Sequence, residues 1–322
     1  MADRDLGAGE DTVFDTVSED SVTRTSLLTR RYRSLRRTIR ILADDPRTLV
    51  SSLVIAGYLL MGTVGVLVVP SPFASRGPML LGPFESLAYP LGTTGLGTGL
   101  FRTIVHATPF MLKLMLSGAG FTAVVALVVG LTSGYRGSHA DRILSTVMDI
   151  AIAIPGLPLY IVLATLLQPT SPYVIGVVLA VNRWAGLARQ VRSEALSIKE
   201  EPYVEASEAM GMTERQLLFD DFLPNIMPFV MIRFANAAKG IIYASVALYF
   251  LGLLPSSGAN WGVQMNTAYN LGNALSRPEA IHWLLAPMLA IIILSWALAT
   301  FAQGADRIFN PRIRTRVAGD DE

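Results

Sequence analysis

Residues able to do covalent or metal chemistry are scarce in this chain of 322 residues. It has no cysteine, which excludes disulfides, thiolate metal sites and cysteine nucleophiles. Its three histidines, His106, His139 and His282, stand far apart in sequence and do not suggest zinc. The string Leu91-Gly92-Thr93-Thr94-Gly95-Leu96-Gly97-Thr98-Gly99 invites a phosphate cradle, but no lysine follows it and no strand precedes it. No G-x-x-x-x-G-K-S/T occurs anywhere, so the chain cannot hold nucleotide in that manner. What remains is non-covalent chemistry: a polar stretch with an apolar face, and charges inside apolar runs, Asp149 and Lys239 among them.

The polar stretch is Glu205–Pro224, EASEAMGMTERQLLFDDFLP, set between two long apolar runs. Glu201, Pro202, Glu205 and Glu208 suit the first turns of a short helix, where proline and acids are tolerated. Gly211 is placed to end it in a left-handed cap. Thr213-Glu214-Arg215-Gln216 fits a capping box that opens a second helix. That helix carries Leu217, Leu218, Phe219 and Phe222, and Pro224 is expected to close it. The expected product is a helix–glycine turn–helix whose apolar face has no core of its own. Taken alone, an amphipathic hairpin lying on a membrane would show the same pattern.

The elements that must position this hairpin are membrane spans. Hydrophobic residues make up 52% of the chain and charged residues 16%, and the apolar residues gather in long runs. Six runs approach the roughly 20 residues that a bilayer requires. They fall at 48–70, 109–132, 146–168, 172–191, 227–251 and 283–303. Residues 1–23 read as an acidic, solvated tail and 24–47 as a basic juxtamembrane segment. The membrane body is 48–304, with an outer loop 70–108 and a polar loop 192–226, and 305–322 is a tail. Most loop arginines lie at both termini and after the second and fourth spans. By the positive-inside rule those parts and the hairpin are cytoplasmic. A net charge of +1 gives no polyelectrolyte character that would suggest nucleic acid.

The hairpin resembles the EAA loop in membrane subunits of ATP-binding cassette importers. The family pattern is E-A-A, three residues, Gly, then about a dozen residues to Leu-Pro. Here it reads Glu205-Ala206-Ser207, Gly211 and Leu223-Pro224, with Ser207 replacing the second alanine. Other motifs follow in family order. Gly130 to Gly137 is similar to G-x-x-A-G-Y-x-G, Asp141-Arg142 to the D-R pair, and Ala153-Ile154-Pro155 to A-I-P. Leu248 to Leu253 is similar to L-S-F-L-G-L, Trp261-Gly262 to W-G, and Asn310-Pro311-Arg312 to D-P-R. The glycine string looks like L-G-T-D-x-x-G-R-D, but Thr94 replaces its aspartate and Thr98-Gly99 replaces Arg-Asp. Roles of those charges therefore do not carry over. The resemblance spans about residue 48 to 314 and points to the dipeptide/oligopeptide (nickel) permease group, C-type component.

The resemblance implies an all-α integral membrane protein of about six spans with a cytoplasmic coupling helix-turn-helix, the type I importer permease fold. It implies a multi-pass cell-membrane subunit that performs no catalysis. It implies ATPase coupling through Glu205, Ala206, Gly211, Leu217, Leu218, Phe219, Phe222 and Pro224. The implied partners are a second permease forming a heterodimer, two cytoplasmic ATPases, an extracellular substrate-binding protein and membrane lipid. This chain would carry no cofactor, because ATP and magnesium bind the ATPases. Asp149 is expected to pair with Arg142 or Arg189 at the membrane edge. Lys239, where relatives carry small or apolar residues, either pairs with a carbonyl or acid of a neighbouring helix or lines the pathway. A secondary transporter or channel working alone is the rival, and it predicts intramembrane carboxylates and internal repeats.

Overall fold

The computed structural model describes residues 45–72, 77–255 and 260–309, with side chains as far as residue 304. The acidic tail, the basic segment up to residue 44, and Asn310-Pro311-Arg312 lie outside the described residues. Every regular element described is helical. In chain order they are α1 (Pro46–Val68), α2 (Leu100–Arg136), α3 (Ser138–Ala153), α4 (Gly156–Leu167) and α5 (Pro172–Val178). Then follow α6 (Arg183–Lys199), α7 (Pro202–Ala209), α8 (Glu214–Phe250), α9 (Trp261–Asn270) and α10 (Ile281–Phe309). Among the described residues four helices are long and apolar enough to cross a membrane: α1, α2, α8 and Pro278–Gly304, which is α10 with its leading turn.

The third expected span, 146–168, is instead the pair α3 and α4, which meet at 84°. Pro155 is the cause, because its ring pushes the preceding residue out of helical geometry. Ile154 accordingly sits at φ −73°, ψ 120°. Asn182 Nδ2 donates to the carbonyl of Ile154 (3.1 Å), which the break leaves without a helical partner. The fourth expected span, 172–191, is also divided, into the short α5 and the more polar α6. Tight turns at Leu179–Asn182 separate them, with Arg183 N bonded to the Ala180 carbonyl. Asn182 in that turn spends its side chain on the α3–α4 break and on the Tyr160 hydroxyl, which donates to its Oδ1 at 2.7 Å.

Helix α2 is the spine of the bundle. It packs against α5 so closely that a Cβ at Gly118 would stand 2.4 Å from the Gly176 carbonyl oxygen. Small residues of this kind are how membrane helices gain close contact without a hydrophobic driving force. The core at this level joins Met111, Leu114, Ile175, Ile241, Ile242 and Leu294. The Tyr58 hydroxyl donates to the Ala290 carbonyl (2.7 Å) and ties α1 to α10. Large apolar side chains such as Val124, Ile143 and Leu166 remain exposed along the helices, as surfaces facing lipid or another subunit must.

The glycine string before α2 is a folded loop whose hydroxyls serve its own backbone. Thr94 Oγ1 accepts from the amides of Leu96 (3.2 Å) and Thr98 (3.1 Å). Thr94, standing where the resemblance has Asp, thus does the local capping that a carboxylate could do. Thr93 Oγ1 donates to the Pro78 carbonyl (2.6 Å), and the Thr93 carbonyl lies 2.9 Å from His282 Nε2 at the start of α10.

Candidate functional site

The hairpin forms from the residues that the sequence singles out, with two differences of consequence. Helix α7 ends in a Schellman arrangement: Gly211 N donates to the Glu208 carbonyl (2.9 Å) and Met212 N to that of Ser207 (3.2 Å). Gly211 has φ +81°, the left-handed region that side chains disfavour. The capping box is complete. Thr213 Oγ1 accepts from Gln216 N (3.4 Å), and Gln216 Oε1 accepts from Thr213 N (2.9 Å).

The first difference is that Pro224 does not close the second helix. The chain runs from Glu214 through a π-helical turn, Leu217–Phe222, directly into the membrane as α8. In that turn Leu223 N donates to the Leu218 carbonyl, five residues back. A proline in a plain α-helix clashes with the carbonyl four residues before it, and the wider turn accommodates that ring. Asn225 Nδ2 donates to the Asp221 carbonyl (2.7 Å) in the same turn and to the Tyr203 hydroxyl (3.1 Å) on α7. The hairpin is thereby continuous with a membrane helix rather than tethered to it by a loop.

The apolar face also finds a core within the chain, against the expectation. Leu217 and Phe222 are fully buried with Val204, Met148, Val191, Ala195 and Ile226. Phe222 meets Tyr135 edge to face, with ring centroids 5.6 Å apart. Lys199 Nζ donates to the Tyr135 carbonyl (2.9 Å), and the Arg136 guanidinium reaches Glu214 Oε1 at 3.0 Å. That last pair is exposed on both sides and contributes little by itself. Together these contacts clamp the hairpin to the end of α2. Sequence reading missed the clamp, although Tyr135 stands in the Gly-Tyr-Arg-Gly motif that it singled out.

What the hairpin offers to solvent is a different set. Glu205, Ala206, Gly211 and Pro224 are exposed, Leu218 is half-buried, and Phe219 is 59% exposed. Tyr203 and Met210 are also exposed and were not singled out from the sequence. Burial, then the negative charges of Asp221 and Glu201, hold the Tyr203 phenol above its usual range.

Behind the clamp, Asp141 at the start of α3 binds Arg192 of α6 through both oxygens, at 2.5 and 2.6 Å. Ser133 and Ser145 hydroxyls also donate to it. This network locks α2, α3 and α6 at the level of the hairpin. Asp149 pairs with Arg189, one of the two partners expected for it. Lys239, midway along α8, is half-buried, and among the described residues no carbonyl or acid bonds it. Of the two readings given for Lys239, pairing with a neighbouring helix is thus not seen among the described residues.

An all-helical membrane bundle with a hairpin continuous with one span is the architecture of a type I permease subunit. Residues 126–315 match the family described as binding-protein-dependent transport system inner membrane component, more than half of the chain, and the chain belongs to that family. Among similar proteins is the dipeptide transport system permease protein DppC of Bacillus subtilis, 27% identical over 82% of this chain and 83% of its own length. A probable peptide ABC transporter permease protein, y4tQ of Sinorhizobium fredii, is 29% identical over 82% of this chain and 90% of its length. The glutathione transport system permease protein GsiD of Pectobacterium atrosepticum is 27% identical over 71% of this chain and 75% of its length. The chain is a multi-pass permease component of an ATP-binding cassette transport system, not a transporter that works alone.

Proposed function

We propose that this chain is the C-type permease of an importer for dipeptides or short peptides. It pairs with a second permease to enclose the pathway and receives substrate from an external binding protein. Two cytoplasmic ATPases drive it, so ATP and magnesium stay on those partners and this chain performs no covalent chemistry. The hairpin and both termini are cytoplasmic in this reading. Exposed Phe219, half-buried Leu218 and the acid Glu205 meet the ATPase, as an amphipathic helix meets a groove. Leu217 and Phe222 serve differently, by fixing the hairpin to the bundle, and Gly211 and Pro224 shape it. Lys239 lines the pathway, since a half-buried ammonium in a membrane helix cannot face lipid cheaply.

The observation that carries this reading is the continuity of the hairpin with α8 and its clamp on α2. A rigid link of this kind turns movement of a docked ATPase into rotation of membrane helices. The test is reconstitution of the assembled transporter with its binding protein. ATP-dependent accumulation of a labelled dipeptide is expected. Accumulation without ATP, or none with any peptide, contradicts the proposal.

A further inference from the structure

We infer that Arg183 is the centre of a carboxylate-binding subsite on the pathway face, which holds the C-terminal carboxylate of a short peptide during passage. The inference rests on the peptide-importer reading above. Arg183 begins α6, and α6 runs to Lys199 at the hairpin clamp. Sixteen residues of helix place the guanidinium about 24 Å from the clamp along that axis. Its side chain lies between α4 and α8, against Tyr160 and Gly240, well removed from the hairpin.

The guanidinium is held in place but not neutralised. Its Nε donates to the Leu179 carbonyl (3.1 Å), and one NH2 proton goes to the Gly240 carbonyl of α8 (3.1 Å). Its plane lies over the ring of Tyr160 on α4, 5.6 Å from the centroid. Gly240 makes this approach possible, because a Cβ there would stand 2.4 Å from Arg183 NH1. Among the described residues no carboxylate pairs with Arg183; its remaining polar neighbour is the Tyr160 phenol, a neutral group. A charge in a membrane bundle with no acid to balance it marks a functional site. Its unused N–H groups form the fork that receives a carboxylate through two parallel bonds.

The surroundings fit that occupant. Arg183 lines an open groove of about 590 Å³ with Tyr160, Asn182, Gly240 and Tyr243. Small-ligand sites typically span about 300–1,000 Å³. Lys239 precedes Gly240, and Tyr243 follows Lys239 by one helical turn, so a second cation borders the same face. The groove therefore combines aromatic walls, an amide and uncompensated positive charge, which suits a short zwitterionic chain entering carboxylate first.

The experiment compares initial uptake of tri-alanine and tri-alanine amide by the complete transporter, wild type against Arg183→Gln and Arg183→Lys. The binding protein is the same in all, so its own preference cancels in the comparison, and co-purification reports assembly. Arg183→Gln is expected to slow the free acid about tenfold or more, as for one charge-assisted hydrogen bond lost, and to slow the amide far less. Arg183→Lys should recover part of the difference. An acid-to-amide ratio equal in wild type and Arg183→Gln overturns the subsite while leaving the peptide reading standing. Loss of the assembled complex in Arg183→Gln but not in Arg183→Lys also overturns it, by assigning the charge to an acid of the second permease. A wild-type complex that moves neither peptide overturns both readings.

Discussion

Gly211 is the position where the fold makes its sharpest demand on a single residue. Its φ of +81° ends α7, and a Cβ built there meets nothing within 4 Å. Any cost of substitution is therefore conformational rather than steric against neighbours. For an L-residue that cost is on the order of 1–2 kcal/mol, near the lower figure for alanine and the upper for β-branched valine. Asparagine visits this region more readily and should cost least. About 2 kcal/mol shifts the balance between the native turn and a displaced one by roughly thirtyfold. A displaced turn changes where Glu205 and Ala206 stand relative to Phe219, while the buried clamp through Phe222 stays intact. Gly211→Asn, Gly211→Ala and Gly211→Val should therefore lose ATP turnover stimulated by loaded binding protein in that order, Val losing nearly all, with membrane insertion unaffected. The assay is ATP hydrolysis by the assembled complex in lipid nanodiscs. Equal activity of Val and Gly refutes the reasoning, and so does an equal loss in Asn and Val.

Other outcomes follow from the same geometry. Phe222→Ala empties a fully buried site against Tyr135, costs about 3–5 kcal/mol, and should free the hairpin to proteolysis in detergent before the bundle unfolds. Asp141→Asn leaves Arg192 without its two-point partner and should cost about 2 kcal/mol, read as a lower thermal midpoint of the purified subunit. Lys239→Met keeps length and removes charge; transport should fall while assembly and ATPase activity survive, and a lost complex would instead assign the amine to a partner subunit.

Much of this arrangement was legible because local chemistry dictates it. Gly211 and the Thr213 capping box act within a few residues, and their structural outcomes follow from backbone rules. The continuation of the helix past Pro224 was not legible, since it depends on a π turn that no single residue demands. The burial of Leu217 and Phe222 depends on Tyr135, Met148 and Val191, all distant in sequence, so spacing could show an apolar face but not its partner. The division of 172–191 has the same origin: its apolar run is long enough to span, and Asn182 and Arg183 find their use only across the bundle. Lys239 and Arg183 were visible as charges, but only the fold shows that neither meets an acid among the described residues.

The central claim is that the exposed side of the hairpin touches an ATPase. The chain has no cysteine, so a single Phe219→Cys substitution gives a unique attachment point. Phe84→Cys in the loop before α2, at a residue 85% exposed, gives the control. The measurement is cross-linking of each variant, in the assembled complex, with a short reagent that carries a maleimide at one end, for the introduced thiol, and a photoreactive diazirine at the other. The account predicts a covalent adduct of this chain with the ATPase subunit from Phe219→Cys and none from Phe84→Cys. An adduct from Phe84→Cys, or no ATPase adduct from Phe219→Cys in a complex that still hydrolyses ATP, would contradict it.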